Sequence, residues 1–259
     1  MSIAASTREP PPPGATPHPL GALGVVLVAA GRGERLGADV PKAFVELRGR
    51  SLVEFGVGVV TSLPHAGHLV IVVPESRAAQ ALELVDGILP EHSQWEVSVV
   101  HGGRERHESV RFGVDALPEA VDTVLVHDAA RPFASAALFE RVIAEVRRTG
   151  DAVVPALPVV DTLKRIDANG MVHETVDRAP LVAVQTPQGF PREVLAAAHA
   201  TAALHSEPPT DDAEVVQRAG GRVRTVPGEL RAHKLTTPED LPILDSFLTA
   251  NAVGPGGEA

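Results

Sequence analysis

A glycine-rich loop near the start of the chain has residue types that suit phosphate binding. It runs over Ala29–Gly37, directly after the apolar run Val25–Val28, and it includes Ala30, Gly31 and Gly33. Small residues and glycine let backbone N–H groups approach phosphate oxygens closely. A tight strand-to-helix connection has the same composition, so the loop alone leaves both interpretations open.

Three cations in or just beyond this loop add to the phosphate-binding hypothesis: Arg32, Arg35 and Lys42. Arg can grip phosphate oxygens with two hydrogen bonds, and Lys acts as a point charge. Phosphoryl or nucleotidyl transfer develops negative charge that such cations stabilise, whereas separate solvated side chains are the plainer alternative. The third loop glycine, Gly37, comes one residue too late for a dinucleotide fingerprint, which disfavours a dehydrogenase. The loop also lacks the Gly-Lys-Ser/Thr ending of a Walker motif.

The elements that must position this loop follow an alternating pattern. Six short runs rich in Val, Leu and Ile predict buried strands at Val25–Val28, Leu69–Val73, Val97–Val100, Thr123–Val126, Ala152–Val154 and Val223–Val226. Segments with apolar residues three and four apart predict helices at Arg77–Val85, Ser109–Leu117, Ala136–Arg148, Glu193–His205 and Asp211–Ala219. This alternation predicts a doubly wound, mostly parallel, Rossmann-like α/β sheet, whose ligands bind at the carboxyl ends of the strands.

Two further predicted strands end in residues that suit a ligand site. Gly102 and Gly103 close the third strand, and paired glycines let a planar base lie against bare backbone, although a turn without a ligand has the same sequence. Asp128 closes the fourth strand, with Arg131 three residues later. A carboxylate there could hold Mg²⁺ or a sugar hydroxyl, or it could cap a helix or pair with Arg131. His127 is not predicted to be a base.

The segment Asp161–Pro187 breaks the alternation of strands and helices. It alternates apolar and polar residues around the turn Asn169-Gly170, which predicts a two-stranded ribbon. A ribbon is marginal by itself, so we expect it to lie against another subunit, with an edge extension of the same sheet as the alternative. Further on, Lys234 precedes the helix-start signal Thr237-Pro238 and could place a charge in the cleft.

Composition excludes several classes of protein. The chain has 259 residues, a net charge of -10 and no cysteine, which excludes a disulfide framework, a thiolate zinc site and a cysteine nucleophile. The acidic balance and 3% aromatic content argue against nucleic acid as a partner. No apolar run approaches the roughly 20 residues that span a bilayer, so we expect a soluble, cytoplasmic protein with no membrane partner. Residues 1–20 predict a disordered proline-rich tail, 21–252 the folded domain, and 253–259 a second disordered tail.

Several segments together resemble a known family. The first loop, with Pro41-Lys42, resembles the nucleotide-sugar-pyrophosphorylase-like nucleotidyltransferases. Five later segments narrow this resemblance to the 2-C-methyl-D-erythritol 4-phosphate cytidylyltransferases: Gly102–Val110, Val126–Pro132, Asp161–Arg165, Gln185–Gln188 and Lys234–Asp240. The resemblance implies cytidylyl transfer from CTP to a polyol phosphate with Mg²⁺ or another divalent cation. It also implies a homodimer formed through the protruding β-arm, at about 161–187.

The resemblance also implies roles for particular residues. Those implied to be catalytic are Arg35, Lys42 and Lys234. Those implied to bind the nucleotide are Ala29, Ala30, Gly31, Gly33, Gly102, Gly103, Arg106, Ser109 and Ala129. Those implied to bind the substrate are Asp128, Arg131, Thr162, Arg178 and Thr186, the last three partly across the homodimer. Asp128 is also implied to contact the metal.

One position departs from the family pattern, because Ala232 stands where Asn is usual, two residues before Lys234. This departure puts one metal or phosphate contact in question. Thr210–Ala213 matches another family segment, although a capped helix start explains it. Two alternative functions stay open. The first is the same chemistry on ribitol 5-phosphate, and the second is a non-catalytic nucleotide-binding protein.

Overall fold

The computed structural model describes residues 22–31, 33, 36, 40–90, 92–202 and 207–252. The two predicted tails, at 1–20 and 253–259, lie outside the described residues, as do Arg32, Arg35 and Gly37 of the first loop. Within the described ranges, no helix is long and apolar enough to cross a membrane.

Strands and helices alternate as the sequence predicts. The strands are β1 (Ala22–Val28), β2 (Glu46–Leu47), β3 (Arg50–Ser51), β4 (Gly67–Val73), β5 (Trp95–His101), β6 (Val121–Asp128), β7 (Ala152–Pro158), β8 (Leu163–Ile166), β9 (Val172–Val176), β10 (Val182–Val184), β11 (Gln188–Pro191) and β12 (Val223–Pro227). The helices of the described residues are α1 (Leu52–Thr61), α2 (Ala78–Ile88), α3 (Arg106–Asp115), α4 (Ala136–Thr149), α5 (Arg192–Ala202), α6 (Asp212–Arg218) and α7 (Asp240–Ala252).

One sheet forms the centre of the molecule, in the order β10-β7-β11-β6-β1-β4-β5, with β12 beside β7. The four neighbours β6, β1, β4 and β5 are all parallel, so their carboxyl ends meet at one edge. β11 and β10 run antiparallel to their neighbours. The sheet is therefore α/β and mostly parallel, as predicted, with antiparallel strands toward one side.

Helices cover both faces of the sheet, which explains why the strands are apolar on both sides. Val25 and Leu27 of β1 pack in a core with residues of α1, α2 and α4. Val26 faces the other way, into a core with residues of α3, α5 and α6. All three side chains are fully buried. Alternate β1 residues thus serve opposite faces, as a doubly wound sheet requires.

The predicted ribbon divides into two parts. β8 and β9 form an antiparallel hairpin that is a two-stranded sheet of its own, so it does not extend the edge of the main sheet. β10, from the same predicted ribbon, joins the main sheet beside β7. We refer to Leu163–Val176 as the hairpin.

Candidate active site

A cavity of about 810 Å³ opens where the parallel strands end. Its walls come from the first loop, the loop after β5, the end of β6 and the segment around Lys234. The predicted site residues on these walls are Ala29, Ala30, Gly31, Gly33, Lys42, Gly103, Arg106, Ser109, Asp128 and Lys234. Residues that lie far apart in the sequence therefore meet in one place, as the edge of a parallel sheet predicts.

The first loop places Lys42 beside the glycines. The backbone N–H of Ala29 donates to the carbonyl of Val72 at 2.8 Å, which fixes the start of the loop to β4. Gly33 has a φ of +71°, and a Cβ atom there would lie 2.7 Å from the Cβ of Lys42. Glycine is therefore required at position 33 both for its conformation and for the close approach of Lys42. Arg35, predicted to act with Lys42, lies outside the described residues.

The loop after β5 forms the opposite wall. The backbone N–H of Gly103 donates to the hydroxyl of Ser109 at 3.0 Å, and that hydroxyl donates to the carbonyl of Glu105 at 3.2 Å. A side chain at Gly102 would overlap Ala30 of the first loop. Ser109 is 2% exposed, so its hydroxyl shapes this loop from behind while the residue still borders the cavity.

Asp128 lies at the centre of an ionic network. Its Oδ1 accepts hydrogen bonds from Nε and Nη2 of Arg106 at 3.2 and 3.0 Å, and its Oδ2 accepts one from Nζ of Lys234 at 2.6 Å. Burial raises the pKa of the Asp128 carboxyl, but the two cations outweigh this and hold the pKa well below its ordinary value. Asp128 is therefore a buried, ionised carboxylate, held by Arg106 and Lys234.

Arg106 also forms an ion pair with a second carboxylate, Asp212, which was not among the predicted site residues. Its Nη1 donates to Oδ2 of Asp212 at 2.7 Å, and Asp212 is fully buried. Burial lowers the pKa of the Arg106 guanidinium, but Asp128 and Asp212 raise it above its ordinary value. The sequence contains one signal for this contact, the pair Asp211-Asp212. A helix start needs only one capping carboxylate, and because Asp211 supplies it, the second aspartate calls for another explanation.

Lys234 reaches the cavity on a segment that is tied to the end of β6. The backbone N–H of Leu235 donates to the carbonyl of Ala130 at 2.8 Å, and Nη1 of Arg131 donates to the carbonyl of Ala232 at 2.6 Å. Ala232 is fully buried, so the position where the family usually has Asn contributes its backbone here. Arg131 thus supports the Lys234 segment within the chain, and its predicted contact with phosphate stays a prediction.

Asp240 fixes the turn that follows Lys234. Its Oδ2 accepts from the backbone N–H groups of Thr236 and Thr237 at 2.7 and 2.8 Å, and its Oδ1 lies 2.7 Å from Nε2 of His233. Burial raises the pKa of Asp240, but hydrogen bonds from Thr237, His233 and Thr236 lower it to about 2. Thr237 and Pro238 thus form a turn, and the helix predicted from them begins at Asp240.

Thr186 and His127 support Asp128 from inside the protein. The hydroxyl of Thr186 accepts from the backbone N–H of Asp128 at 3.1 Å and lies 3.1 Å from Nδ1 of His127. Burial lowers the pKa of His127 to about 4, so its ring is neutral near pH 7. The hydroxyl proton then goes to Nδ1, and Nε2 donates to the carbonyl of Arg131 at 3.3 Å. Thr186, predicted to hold substrate phosphate, is 4% exposed. In this chain its hydroxyl makes hydrogen bonds with Asp128 and His127.

The remaining predicted residues do not line the cavity of the single chain. Ala129 is buried, and its N–H donates to the carbonyl of Val28 at 3.1 Å. Thr162 and Arg178 are exposed near the hairpin, where Arg178 donates to the carbonyl of Val160. The structure therefore brings together the predicted nucleotide loops and two lysines, and it leaves Thr162 and Arg178 outside.

Asp128 fits a magnesium ion as a single protein ligand. Among the described residues, no three His, Asp or Glu side chains lie close enough to hold a metal between them. Mg²⁺ commonly takes one or two carboxylates and fills its other positions with substrate phosphates and water. Asp128 borders the cavity, and one of its oxygens is held by Lys234, whose side chain is 37% exposed and can turn away. A metal that arrives with a triphosphate could use that oxygen.

The α/β fold and the cationic cavity with its glycine loop are the features expected of a nucleotidyltransferase, and the comparisons with known proteins identify that class. Residues 23–250 match the family model described as 2-C-methyl-D-erythritol 4-phosphate cytidylyltransferase, and the chain belongs to this family. The family predicted from the sequence motifs is thereby confirmed.

Two curated relatives illustrate the match. A protein from Nocardia farcinica named 2-C-methyl-D-erythritol 4-phosphate cytidylyltransferase is 44% identical over 232 residues, which cover 90% of this chain and 96% of that protein. The bifunctional enzyme IspD/IspF of Clavibacter michiganensis is 48% identical over 239 residues, which cover 92% of this chain. This chain spans 57% of the length of the bifunctional relative.

Solved structures agree with the fold. The crystal structure of 2-C-methyl-D-erythritol 4-phosphate cytidylyltransferase from Thermus thermophilus is 33% identical and has a TM-score of 0.70, covering 87% of this chain and 98% of that one. The 4-diphosphocytidyl-2C-methyl-D-erythritol synthase of Anaerococcus prevotii is 26% identical with a TM-score of 0.76, covering 88% of this chain and 96% of that one.

Proposed function

We propose that this chain transfers the cytidylyl group of CTP to 2-C-methyl-D-erythritol 4-phosphate, releasing pyrophosphate and giving 4-diphosphocytidyl-2-C-methyl-D-erythritol, an isoprenoid precursor. The family match and the names of its relatives support this function over the ribitol 5-phosphate alternative. The observation that carries the proposal is the meeting of Lys42 and Lys234 at one cavity beside a glycine loop. Only three of the chain's 23 basic residues are lysines, and two of the three are at this cavity.

The reaction needs two anions to be held against their mutual repulsion. An oxygen of the 4-phosphate attacks the α-phosphorus of CTP, and the bond from that phosphorus to the pyrophosphate oxygen breaks. A phosphate dianion is already nucleophilic, so no general base is required. Positioned ammonium groups neutralise the charge that builds up on the pentacoordinate phosphorus. We assign this role to Lys42 and Lys234, and we assign it to Arg35 on the family resemblance alone.

The cavity walls suggest how each substrate is held. Backbone N–H groups around Gly31 and Gly33 can approach the triphosphate. The loop containing Gly103 would border the base, and Asp128 would accept hydrogen bonds from hydroxyl groups of the polyol. Because Lys234 is half-exposed and makes a single contact with Asp128, it can turn to a phosphate when one arrives. Substrate binding thus replaces an internal ion pair by one with the ligand.

Magnesium is part of the proposal. Asp128 would hold the ion together with oxygens of the triphosphate, and the ion would supply further neutralisation of phosphate charge. The expected result is that chelation with EDTA abolishes pyrophosphate release and that added Mg²⁺ restores it. Full activity in the presence of excess EDTA would remove the metal from the proposal.

We also propose that the hairpin mediates a homodimer. Several large apolar side chains in and beside it are exposed: Val160 at 75%, Ile166 at 58%, Met171 at 65% and Val172 at 58%. Thr162 and Arg178 lie beside this apolar group, so a partner that covered the hairpin would also meet these two polar residues. Sedimentation of the purified protein tests the dimer. The predicted cytoplasmic location stays a prediction, which cell fractionation would test.

Pyrophosphate release tests the central proposal. We expect release with CTP and 2-C-methyl-D-erythritol 4-phosphate together, and much less with another nucleoside triphosphate or with ribitol 5-phosphate. Faster release with ribitol 5-phosphate would favour that alternative substrate. Binding of CTP without release with either acceptor would favour a non-catalytic nucleotide-binding protein.

A further inference from the structure

Two neighbouring aspartates at the start of α6 have different partners. Asp211 caps the helix, because its Oδ1 accepts from the backbone N–H of Glu214 at 2.8 Å and its Oδ2 accepts from Nε2 of Gln188 at 2.9 Å. Asp212 makes no such backbone contact among the described residues, and its Oδ2 accepts from Arg106. Helix capping therefore explains Asp211 and leaves Asp212 to be explained by Arg106.

Arg106 lies between two carboxylates, with three N–H groups in use. Nη1 donates to Asp212, while Nε and Nη2 both donate to Oδ1 of Asp128. A guanidinium group is a rigid planar fork, so contacts on two of its sides fix both its position and its plane. The contact with Asp212 thus helps to fix which edge of the Arg106 guanidinium group points at Asp128.

Burial of the Asp212 charge has a cost that the rest of the fold does little to offset. Within the described residues its Oδ1 has no hydrogen-bond partner, and neither has Nε2 of His199, 3.8 Å away. Burial lowers the pKa of His199, which keeps that ring neutral near pH 7. A buried ion pair contributes little net stability to a fold, because the cost of desolvating the two charges offsets their attraction. The carboxylate of Asp212 is therefore better explained by its positioning of Arg106 than by a gain in stability.

The two cations on Asp128 differ in their freedom to move. Lys234 touches one oxygen through a single flexible ammonium group, and its side chain is 37% exposed. Arg106 is 28% exposed and is anchored on its far side by Asp212. When phosphate draws Lys234 away, Arg106 is the cationic side chain that stays on Asp128, on the oxygen opposite the one that Lys234 releases.

We propose that Asp212 is a positioning residue that holds Arg106 on Asp128 while Lys234 exchanges Asp128 for substrate phosphate. This inference rests on the proposed function, since it gives a task in that reaction to a residue outside the cavity. Without the anchor, Arg106 is free to turn away from Asp128, so Asp128 retains Lys234 and phosphate has to compete for that ammonium group.

Kinetics of matched variants test the proposal. We expect Asp212→Asn to lower kcat/KM for 2-C-methyl-D-erythritol 4-phosphate at least about tenfold and to raise its KM, because Lys234 is then retained by Asp128 instead of turning to the phosphate. The same change one residue earlier, Asp211→Asn, keeps a good helix cap but loses the bond from Gln188, and it is expected to leave both constants within about twofold because Asp211 does not touch Arg106. A purely structural role for Asp212 would reduce the amount of folded enzyme without changing KM.

A spectroscopic readout makes the test independent of activity. Because the chain has only three lysines, labelling with [13Cε]lysine gives three NMR signals, which Lys42→Arg and Lys164→Arg assign by elimination. In Asp212→Asn we expect the Lys234 signal to move away from its wild-type position, and in Asp211→Asn to stay. If the wild-type enzyme released no pyrophosphate, the proposed function would fail and this signal would still test the position of Arg106.

A second variant covers the case in which Asp212→Asn does not fold. Arg106→Lys keeps the charge but cannot span two carboxylates, so it is expected to reproduce the loss of kcat/KM and the rise in KM. Where both variants fold, the double variant is expected to be no slower than the slower single one. Wild-type kinetics in either folded variant, or a wild-type Lys234 signal in folded Asp212→Asn, would overturn the proposal.

Discussion

The carboxyl edge of the sheet and the hairpin show opposite ways of using charged and apolar residues. At the edge, Asp128 and Asp212 are buried and each has a cationic partner, so one chain completes the ionic network. In the hairpin, Ile166 and Val172 are exposed, and its ion pair, Arg165 with Glu174, lies in solvent. The edge can therefore be understood from one chain, whereas the apolar surface of the hairpin is left exposed by the single chain and is where we propose that a second chain binds.

The largest expected effect comes from removal of an ammonium group at the edge. Lys42→Ala is expected to lower kcat by about 100- to 1,000-fold, because a positioned charge at the reacting phosphate is lost. Lys164→Ala in the hairpin removes an ammonium group that is bonded to Thr175 in solvent, and it is expected to change kcat less than about threefold. Assays of the rate of pyrophosphate release measure kcat for both variants. Equal losses in the two variants would contradict the division between the regions.

The edge should also respond to pH through a buried histidine. The pKa of His127 is lowered from 6.5 to about 4, so between these pH values the unfolded chain binds a proton that the folded chain does not. Stability therefore falls as the pH decreases through this range, by up to about 3 kcal/mol. Urea unfolding at several pH values measures it. His127→Gln is expected to flatten the dependence, while His173→Gln in the exposed hairpin keeps it.

A charge placed on the hairpin tests the need for a covering surface. Val172→Asp is expected to convert the proposed dimer to a monomer in sedimentation and to lower activity about tenfold, because the new carboxylate would have to be desolvated at the proposed interface. The melting temperature of the single chain is expected to change little. Leu82→Asp is the control, since Leu82 on α2 is 50% exposed. A Val172→Asp protein that sediments as the wild type does would refute the hairpin interface.

The smallest expected effect comes from replacing one glycine by alanine in each of the two regions. Gly33 and Gly170 have similar conformations, with φ of +71° and +80°, but only a Cβ at position 33 meets a neighbour, Lys42. Both Gly→Ala changes are expected to destabilise the fold by about 1 kcal/mol through backbone strain. Gly33→Ala is also expected to lower kcat about fivefold by displacing Lys42. A similar loss of kcat in Gly170→Ala would show that strain alone is responsible.

Sequence patterns predicted the parallel strands because burial on both faces demands continuous apolar runs. They missed α1, since its Gly and Val residues have low helix propensity, although the capping box of Ser51 and Glu54 marks its start. They also missed β11, whose four residues, Gln188–Pro191, show no periodicity. Its position between β6 and β7 is set by tertiary pairing.

Sequence patterns predicted those site residues that lie close in sequence to the ends of strands. Lys42 and Asp128 lie there, and the topology brings them to one cavity. The partners of Arg131 and Thr186 could not be predicted, because each is separated from its contacts by more than fifty residues of chain. Asp212 was missed because helix capping offers an explanation for both aspartates, although Asp211 alone caps the helix.

The ion pair between Lys234 and Asp128 joins residues 106 positions apart, and Leu235 ties the later segment to Ala130. A nascent chain emerging from the ribosome therefore carries the glycine loop and Asp128 long before the lysine that completes the pocket. Premature termination anywhere ahead of position 234 yields a fragment without that ammonium group. Synthesis of the first 234 residues thus precedes the assembly of this cavity.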